Sequence, residues 1–342
     1  MKVSELDFFL PSELLAREPR ETRGESRSDS KLMIMNRKTK SIEHKKFDDV
    51  IDYLEKGDVL VLNNSKVINA NLIGWLGNKE RKIKIDLAGI LDNGNWQIYI
   101  DDNEVKPGDT CEFGNGDLTG TFEKMEEKHV WQIKFDQDDV IALANKVGRP
   151  IMSPHVKKQY DLSYYQNVYA SKEGSAELPS AGRHFTKELL EKIKQKGVKV
   201  VYVTLHTGLS SMMVTEDTFE EHHMHKEQIE ITKEVADTIN EVRKNGHNVI
   251  CVGTTVVRTL ETVADEEGTL RPFTGYSTLY IYPGYHFKIV DKFITNFHGP
   301  NTSRIAMAAA FTGKDLLLKG YAEAIQRKYL FYEFGDTTLT VK

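Results

Sequence analysis

Apolar positions recur along this chain at two different periods, and the change of period divides it into three zones. Residues 1–66 open polar and turn-rich, until Asp58-Val59-Leu60-Val61-Leu62 follows Lys56-Gly57. An apolar run of that length bounded by glycine predicts a buried strand. Between residues 70 and 145 the period is two, as in Ile83-Lys84-Ile85-Asp86-Leu87 and Trp96-Gln97-Ile98-Tyr99-Ile100. Asp92-Asn93-Gly94-Asn95, Lys106-Pro107-Gly108-Asp109 and Gly114-Asn115-Gly116 punctuate these runs as turns. Short strands at regular spacing predict a small sheet or barrel.

From residue 155 onward the pattern alternates. Thr186 is placed to cap a helix through Leu189, Leu190 and Ile193 that stops at Gly197. Val198–Leu205 then reads as a buried strand. Thr232 starts a helix with Val235, Ile239 and Val242 on one face, ended by Gly246. Val249–Val252 predicts a strand, residues 256–263 a helix, and Leu279–Tyr282 and Phe293–Phe297 two more strands. Strands alternating with helices of this size predict a parallel or mixed sheet covered by helices. The expected fold is therefore α/β, with a helix-covered mixed sheet interrupted by a small β-barrel. The expected division is 1–68 plus 154–342 for the α/β domain and 69–153 for the insertion.

Composition changes this picture little. The chain has 342 residues, 39% hydrophobic and 28% charged, enough for about two domains. No apolar stretch is long enough for a membrane helix, and residues 1–7 do not read as a secretory leader. Cys111 and Cys251 form no CxxC pair and no disulfide framework. A cytoplasmic, metal-free, monomeric enzyme is the expectation. Charge is more informative in its distribution than in its sum. Residues 101–140 hold four lysines against twelve acids, a net of −8, whereas the whole chain carries −5. A polyanionic partner would avoid that stretch and meet the ends of the chain, of which residues 1–46 net +3.

Open α/β sheets bind ligands beyond the carboxyl ends of their strands, so the residues that follow each strand are the candidates. His206-Thr207-Gly208 follows one, Gly253-Thr254-Thr255 another, Pro283-Gly284-Tyr285 a third and His298-Gly299-Pro300 a fourth. Gly253, Thr254 and Thr255 sit between a strand and a helix, where backbone N–H groups favour an anion, and Arg258 lies one turn further on. A plain helix cap is the simpler reading of the same residues. Glu221 to Glu227 gathers three of the eleven histidines, His222, His223 and His225, without a cysteine or carboxylate at a metal-site spacing. His184, ahead of the Thr186 cap, has the titration range of a proton carrier. Walker A, GxGxxG and GxSxG patterns are absent. These residues predict a His- and Arg-lined pocket without naming the reaction.

Several stretches together resemble the S-adenosylmethionine:tRNA ribosyltransferase-isomerases of queuosine biosynthesis. They are Tyr165–Ala170, Ser180–Thr186, Val203–Leu209, His222–Glu227, Val252–Glu261, Ile281–Tyr285 and Ile294–His298, with Leu60–Asn64 and Lys66–Ile68 upstream. The resemblance implies an α/β domain interrupted by a β-barrel. It also implies transfer and isomerisation of the ribosyl part of S-adenosylmethionine onto 7-aminomethyl-7-deazaguanine in tRNA. Epoxyqueuosine-tRNA, adenine and methionine are the implied products. His184, His206, His225 and His298 become acid/base candidates. Gly253, Thr254, Thr255, Arg258, Tyr282 and Asn296 become contacts for the cosubstrate. The chain departs from the family pattern at Arg183, usually Leu, and at Ser210-Ser211-Met212, usually Gly-Thr-Phe. It departs again at Gly299–Arg304, usually Leu-Pro-Lys-Ser-Thr-Leu, and at Lys66, Asn69 and Asn71. These departures leave two alternatives, an enzyme acting on a non-tRNA acceptor and a non-catalytic RNA- or nucleoside-binding protein.

Overall fold

The computed structural model describes residues 1–77, 79–209 and 213–342. The first zone supplies strands β1 (Lys31–Asn36), β2 (Ile42–Lys46), β3 (Val59–Asn63) and β4 (Ser65–Val67). The second supplies β5 (Asn71–Leu76), β6 (Arg81–Ile90), β7 (Trp96–Tyr99), β8 (Thr110–Phe113), β9 (Leu118–Glu127) and β10 (Val130–Phe135), then helix α1 (Val140–Val147). The third alternates β11 (Lys172–Ser175), α2 (Lys187–Gln195), β12 (Lys199–Leu205), β13 (Glu227–Ile231), α3 (Lys233–Lys244), β14 (Val249–Val252) and α4 (Thr254–Val263). It closes with β15 (Phe273–Ser277), β16 (Lys292–Asn296), α5 (Ser303–Thr312), α6 (Lys314–Gln326) and β17 (Thr337–Val341).

Nine strands form one mixed sheet in the order β15-β13-β12-β3-β14-β16-β17-β1-β2. Its centre, β12-β3-β14-β16, is parallel, which brings four carboxyl ends to one edge. Alternation of side chains along a strand divides the core in two. Val59 and Val61 pack with Ile239, Val257 and Leu260 on one face, and Leu60 and Leu62 pack with Leu189, Ile193 and Phe185 on the other. Thr186 caps α2 by accepting from the Leu189 N–H (3.1 Å), and Thr232 caps α3 by accepting from Val235 (3.4 Å).

The six strands of the second zone close into a barrel, β10-β7-β6-β5-β8-β9, with every neighbour antiparallel. Its inward residues, among them Ile85, Trp96, Ile98, Phe113, Phe122 and Trp131, form a core of their own. Closure leaves no exposed strand edge. The α/β fold with an inserted β-barrel is thus as expected.

Leu279–Tyr282 is a correction, because no strand forms there. The Leu279 carbonyl accepts from Arg258 Nε (3.0 Å) and its N–H donates to Ser277 Oγ (3.2 Å). Side chains satisfy the backbone groups that a ladder would have used. The strand lies earlier, at β15, paired antiparallel with β13. Strands β1, β13 and β17 and helices α5 and α6 were not anticipated. Among the described residues no helix is long and apolar enough to cross a membrane.

Candidate active site

A cavity of about 490 Å³ opens at the carboxyl edge of the parallel strands, a size suited to a small-molecule ligand. Gly253, Thr254, Thr255 and Arg258 line it from α4, Asn296 and His298 from the end of β16, and Thr207 from the end of β12. A second set lies outside the sheet: His155, Glu177, Arg304, Tyr332 and Glu333.

The turn into α4 is built by Gly253, whose φ of +90° is open to glycine and costly for other residues. Its N–H donates to the Ile294 carbonyl (2.8 Å), which ties the helix start to β16. Gly253 has no side chain to cap the first turn, so the helix presents its N–H groups and positive dipole end to the cavity. Beside them two buried hydroxyl oxygens, Thr207 Oγ1 and Thr255 Oγ1, have no hydrogen-bond partner among the described residues, and Thr207 is only 6% exposed. A buried, unsatisfied hydroxyl beside open N–H donors suits a polar or anionic ligand group.

Arg258 stands differently from the expectation of an anion contact. Its Nη1 is ion-paired with Glu227 Oε2, its Nε donates to the Leu279 carbonyl (3.0 Å) and its Nη2 to the Ser277 carbonyl (3.4 Å). Glu227 Oε1 in turn accepts from the Gly208 N–H (2.7 Å). The buried pair therefore locks the end of β12, the start of β13 and α4 together, and it presents little net charge. Sequence reasoning passed over Glu227. The available signal was its place in Glu227-Gln228-Ile229-Glu230-Ile231, where Glu227, Ile229 and Ile231 share the buried face.

The four histidines occupy four different settings. His298 lines the cavity, with Nε2 2.9 Å from Thr295 Oγ1. Burial, aided by Arg304, pushes its pKa down to about 3. His184 lies behind the cavity wall. Its Nδ1 meets Ser30 Oγ (2.8 Å) and its Nε2 meets Asn296 Nδ2 (3.1 Å). Ser180 Oγ donates to Asn296 Oδ1 (2.9 Å), so the amide is oriented to donate to His184 and to hold it in one tautomer. Burial first, then Arg20 and Arg183, push His184 down to about 3. His206 lies outside the main cavity, at a small void between sheet and barrel, with Nδ1 2.7 Å from Ser65 Oγ. Burial and Lys172 push it down to about 4 against the pull of Glu230 and Glu227. His225 pairs with Glu127 of the barrel (3.1 Å), and His222 pairs with Glu216 (3.1 Å). Tyr282 packs into an apolar cluster, and its neighbour Tyr280 is the one that lines the cavity. Among the described residues no three His, Cys, Asp or Glu side chains gather as a metal site.

The departures from the family pattern also separate. Arg183 is buried away from the cavity, where Nη2 bonds both Glu21 oxygens (2.8 and 2.6 Å) and the guanidinium lies 4.9 Å from the Phe334 ring. Arg304 lines the cavity and pairs with Glu177 (2.9 Å). Ser210, Ser211 and Met212 lie outside the described residues.

Comparison with known proteins identifies the family. A family described as queuosine biosynthesis protein matches residues 3–340. A Thermoanaerobacter sp. (strain X514) protein named S-adenosylmethionine:tRNA ribosyltransferase-isomerase is 45% identical over the full length of both chains. A Clostridioides difficile (strain 630) protein of the same name is 41% identical over 99% of each. The crystal structure of S-adenosylmethionine tRNA ribosyltransferase from Thermotoga maritima is 36% identical, with a TM-score of 0.58 over 99% of this chain and 100% of that one. The chain belongs to the queuosine biosynthesis protein family.

Proposed function

We propose that this protein transfers and isomerises the ribosyl moiety of S-adenosylmethionine onto the aminomethyl group of 7-aminomethyl-7-deazaguanine in tRNA, releasing adenine and methionine. The observation that carries the proposal is a cavity with an uncapped helix start and two orphaned hydroxyls, in a chain whose full-length relatives bear that enzyme's name. The methionyl carboxylate of the cosubstrate suits the α4 N–H groups with Thr207 and Thr255. A sulfonium acidifies the adjacent C5′ protons, so a neutral imidazole in the cavity is a sufficient base. His298 is assigned that role because it lines the cavity from the end of β16. His184 acts through Asn296, and His206 and His225 act on the junction with the barrel. Arg258 with Glu227 shapes the wall.

Residues 69–153 form the inserted module in this reading, and the protein works in the cytoplasm as a monomer. The experiment is to incubate the protein with S-adenosylmethionine, with and without tRNA bearing the aminomethyl base, and to measure adenine. Release that requires the tRNA supports the proposal. Release with a small acceptor in its place redirects the reaction to another substrate, and tight binding without release removes the enzymatic reading.

A further inference from the structure

The second wall of the cavity holds a titratable pair that the proposed reaction has not yet used. His155 comes from the segment after the barrel and Glu333 from the segment before β17, and both line the cavity. His155 Nε2 lies 3.0 Å from Glu333 Oε2, with the side chains 13% and 17% exposed. We propose that His155 and Glu333 form the subsite that receives the acceptor's primary amine and takes its proton. The proposal rests on the aminomethyl acceptor named above.

Three features of the wall support it. Burial alone would raise the Glu333 carboxyl, but His155 and Ser153 outweigh burial and hold it below the ordinary carboxylate value. A charged carboxylate therefore faces the cavity at neutral pH, where a primary amine is an ammonium. The other two ion pairs on the lining, Glu227 with Arg258 and Glu177 with Arg304, each match an acid with an arginine. Here the partner is an imidazole, whose ring nitrogens can both donate and accept, whereas a guanidinium can only donate.

The pair is also held in place at a cost. The His155 ring stacks on Tyr332, centroids 4.5 Å apart and 28° from parallel. Tyr332 has a φ of +73°, a strained backbone conformation for a bulky side chain. Its N–H donates to the Phe297 carbonyl (3.0 Å). Its hydroxyl occupies the space a Cβ on Gly299 would need. A tyrosine in a strained conformation, with a glycine leaving room for its hydroxyl, fixes the imidazole that stacks on it.

The chemistry is a single proton transfer. The ammonium is drawn to the Glu333 carboxylate. His155 Nε2 lies 3.0 Å from Glu333 Oε2 without making a hydrogen bond, and the imidazole ring accepts the proton. The N–H bond breaks, its electron pair stays on nitrogen as the nucleophile, and the imidazolium formed is neutralised by Glu333.

The test uses the full chain, with S-adenosylmethionine and tRNA carrying the aminomethyl base. Wild-type turnover is the control on the reaction itself, and without it the proposed function and this subsite fall together. Given turnover, His155→Gln and Glu333→Gln are expected to lower kcat/KM for the tRNA about a hundredfold or more, with KM for S-adenosylmethionine within twofold of wild type. Glu333→Asp keeps the charge and is expected to recover at least tenfold over Glu333→Gln. Wild-type acceptor kinetics in both Gln variants would overturn the subsite, as would equal losses in Glu333→Asp and Glu333→Gln. If Glu333→Gln does not fold, His155→Gln alone decides: an acceptor-specific loss supports the subsite, and a loss equal for both substrates overturns it.

Discussion

Glu227 performs two tasks with one carboxylate, since Oε1 holds the Gly208 N–H and Oε2 holds Arg258. Both partners are buried, so removing the charge from one strands the other. Glu227→Gln is therefore expected to destabilise the fold by about 3–5 kcal/mol, read as a lower urea midpoint, and an unchanged midpoint would show that Arg258 finds another counter-charge. His184 and His298 make a second prediction at this scale. Both titrate in the folded protein near 3, against an ordinary 6.5. Between those values the unfolded chain binds more protons than the folded one, so stability rises with pH. It is complete above about 6.5 and is lost as pH falls toward 3. Between pH 7 and pH 5.5 the two together should cost about 2–3 kcal/mol, at about 1.4 kcal/mol per pH unit each once fully titrating. Replacing both with residues that do not titrate should flatten the dependence of the urea midpoint on pH. At this scale the sequence was half legible. Gly253, Thr255 and His298 stood out because they follow strands, Asn296 only through the family resemblance, and all four meet in one cavity. His155, Glu177 and Glu333 gave no signal, because each lies in an irregular segment and they become neighbours only through the fold.

The start of α4 is the element on which the cavity depends. Gly253→Ala would add a Cβ that meets Ala181 at an ordinary 3.5 Å, so space is not the obstacle. The obstacle is the φ of +90°, which costs an alanine upwards of about 1 kcal/mol. Relief of that strain would rotate the first N–H groups away from the cavity. The expected result is a modest fall in thermal midpoint with a larger loss of S-adenosylmethionine affinity, measured by calorimetry. Thr186→Ala is the matched control, because it removes a helix cap worth about 1 kcal/mol on a helix that does not line the cavity, and should leave that affinity unchanged. Apolar runs with a neighbouring glycine, β3, β12 and β14, and the capped helices α2 and α3 were readable in advance. Leu279–Tyr282 misled because its apolar alternation is that of a strand, while its ladder partners are replaced by Arg258 and Ser277. Strand β1 was hidden in the opposite way, since Leu32-Met33-Ile34-Met35 is apolar on both faces and, unlike β3, has no glycine beside it.

In the whole molecule, the barrel is a closed core with a narrow attachment. The backbones of Asn71 and Arg149 exchange hydrogen bonds at its neck (2.9 and 3.0 Å), so the chain enters and leaves at one place. Beyond the neck, the barrel meets the sheet through His225 with Glu127, Lys226 with Asp92, Tyr276 Oη donating to the Ile90 carbonyl, and a small buried apolar cluster of Ala88 and Val130 with Leu209. Exposed pairs of this kind contribute at most about 1 kcal/mol each and weaken in salt. Replacing residues 69–153 with a short glycine–serine linker should therefore leave an α/β unit that unfolds cooperatively, seen by calorimetry as one transition. Loss of all cooperative unfolding would show that the two parts fold as one. This organisation was legible in the switch of hydrophobic period alone, because each period belongs to a separate core. The order of strands in the sheet was not, since it depends on pairings between distant segments.

Strand β17 separates β16 from β1, pairing antiparallel with the first and parallel with the second. The β1–β2 hairpin, made early in synthesis, thus has no place in the sheet until residues 337–341 emerge. Its apolar face, including Leu32 and Ile34, must wait for nearly the whole chain to be translated. A ribosome that stalls before Thr337 would leave a chain whose cavity residues have all been made but whose first strands hang unpaired. Such a chain should be cut by protease between residues 30 and 58 while β3, β12, β14 and β16 remain protected.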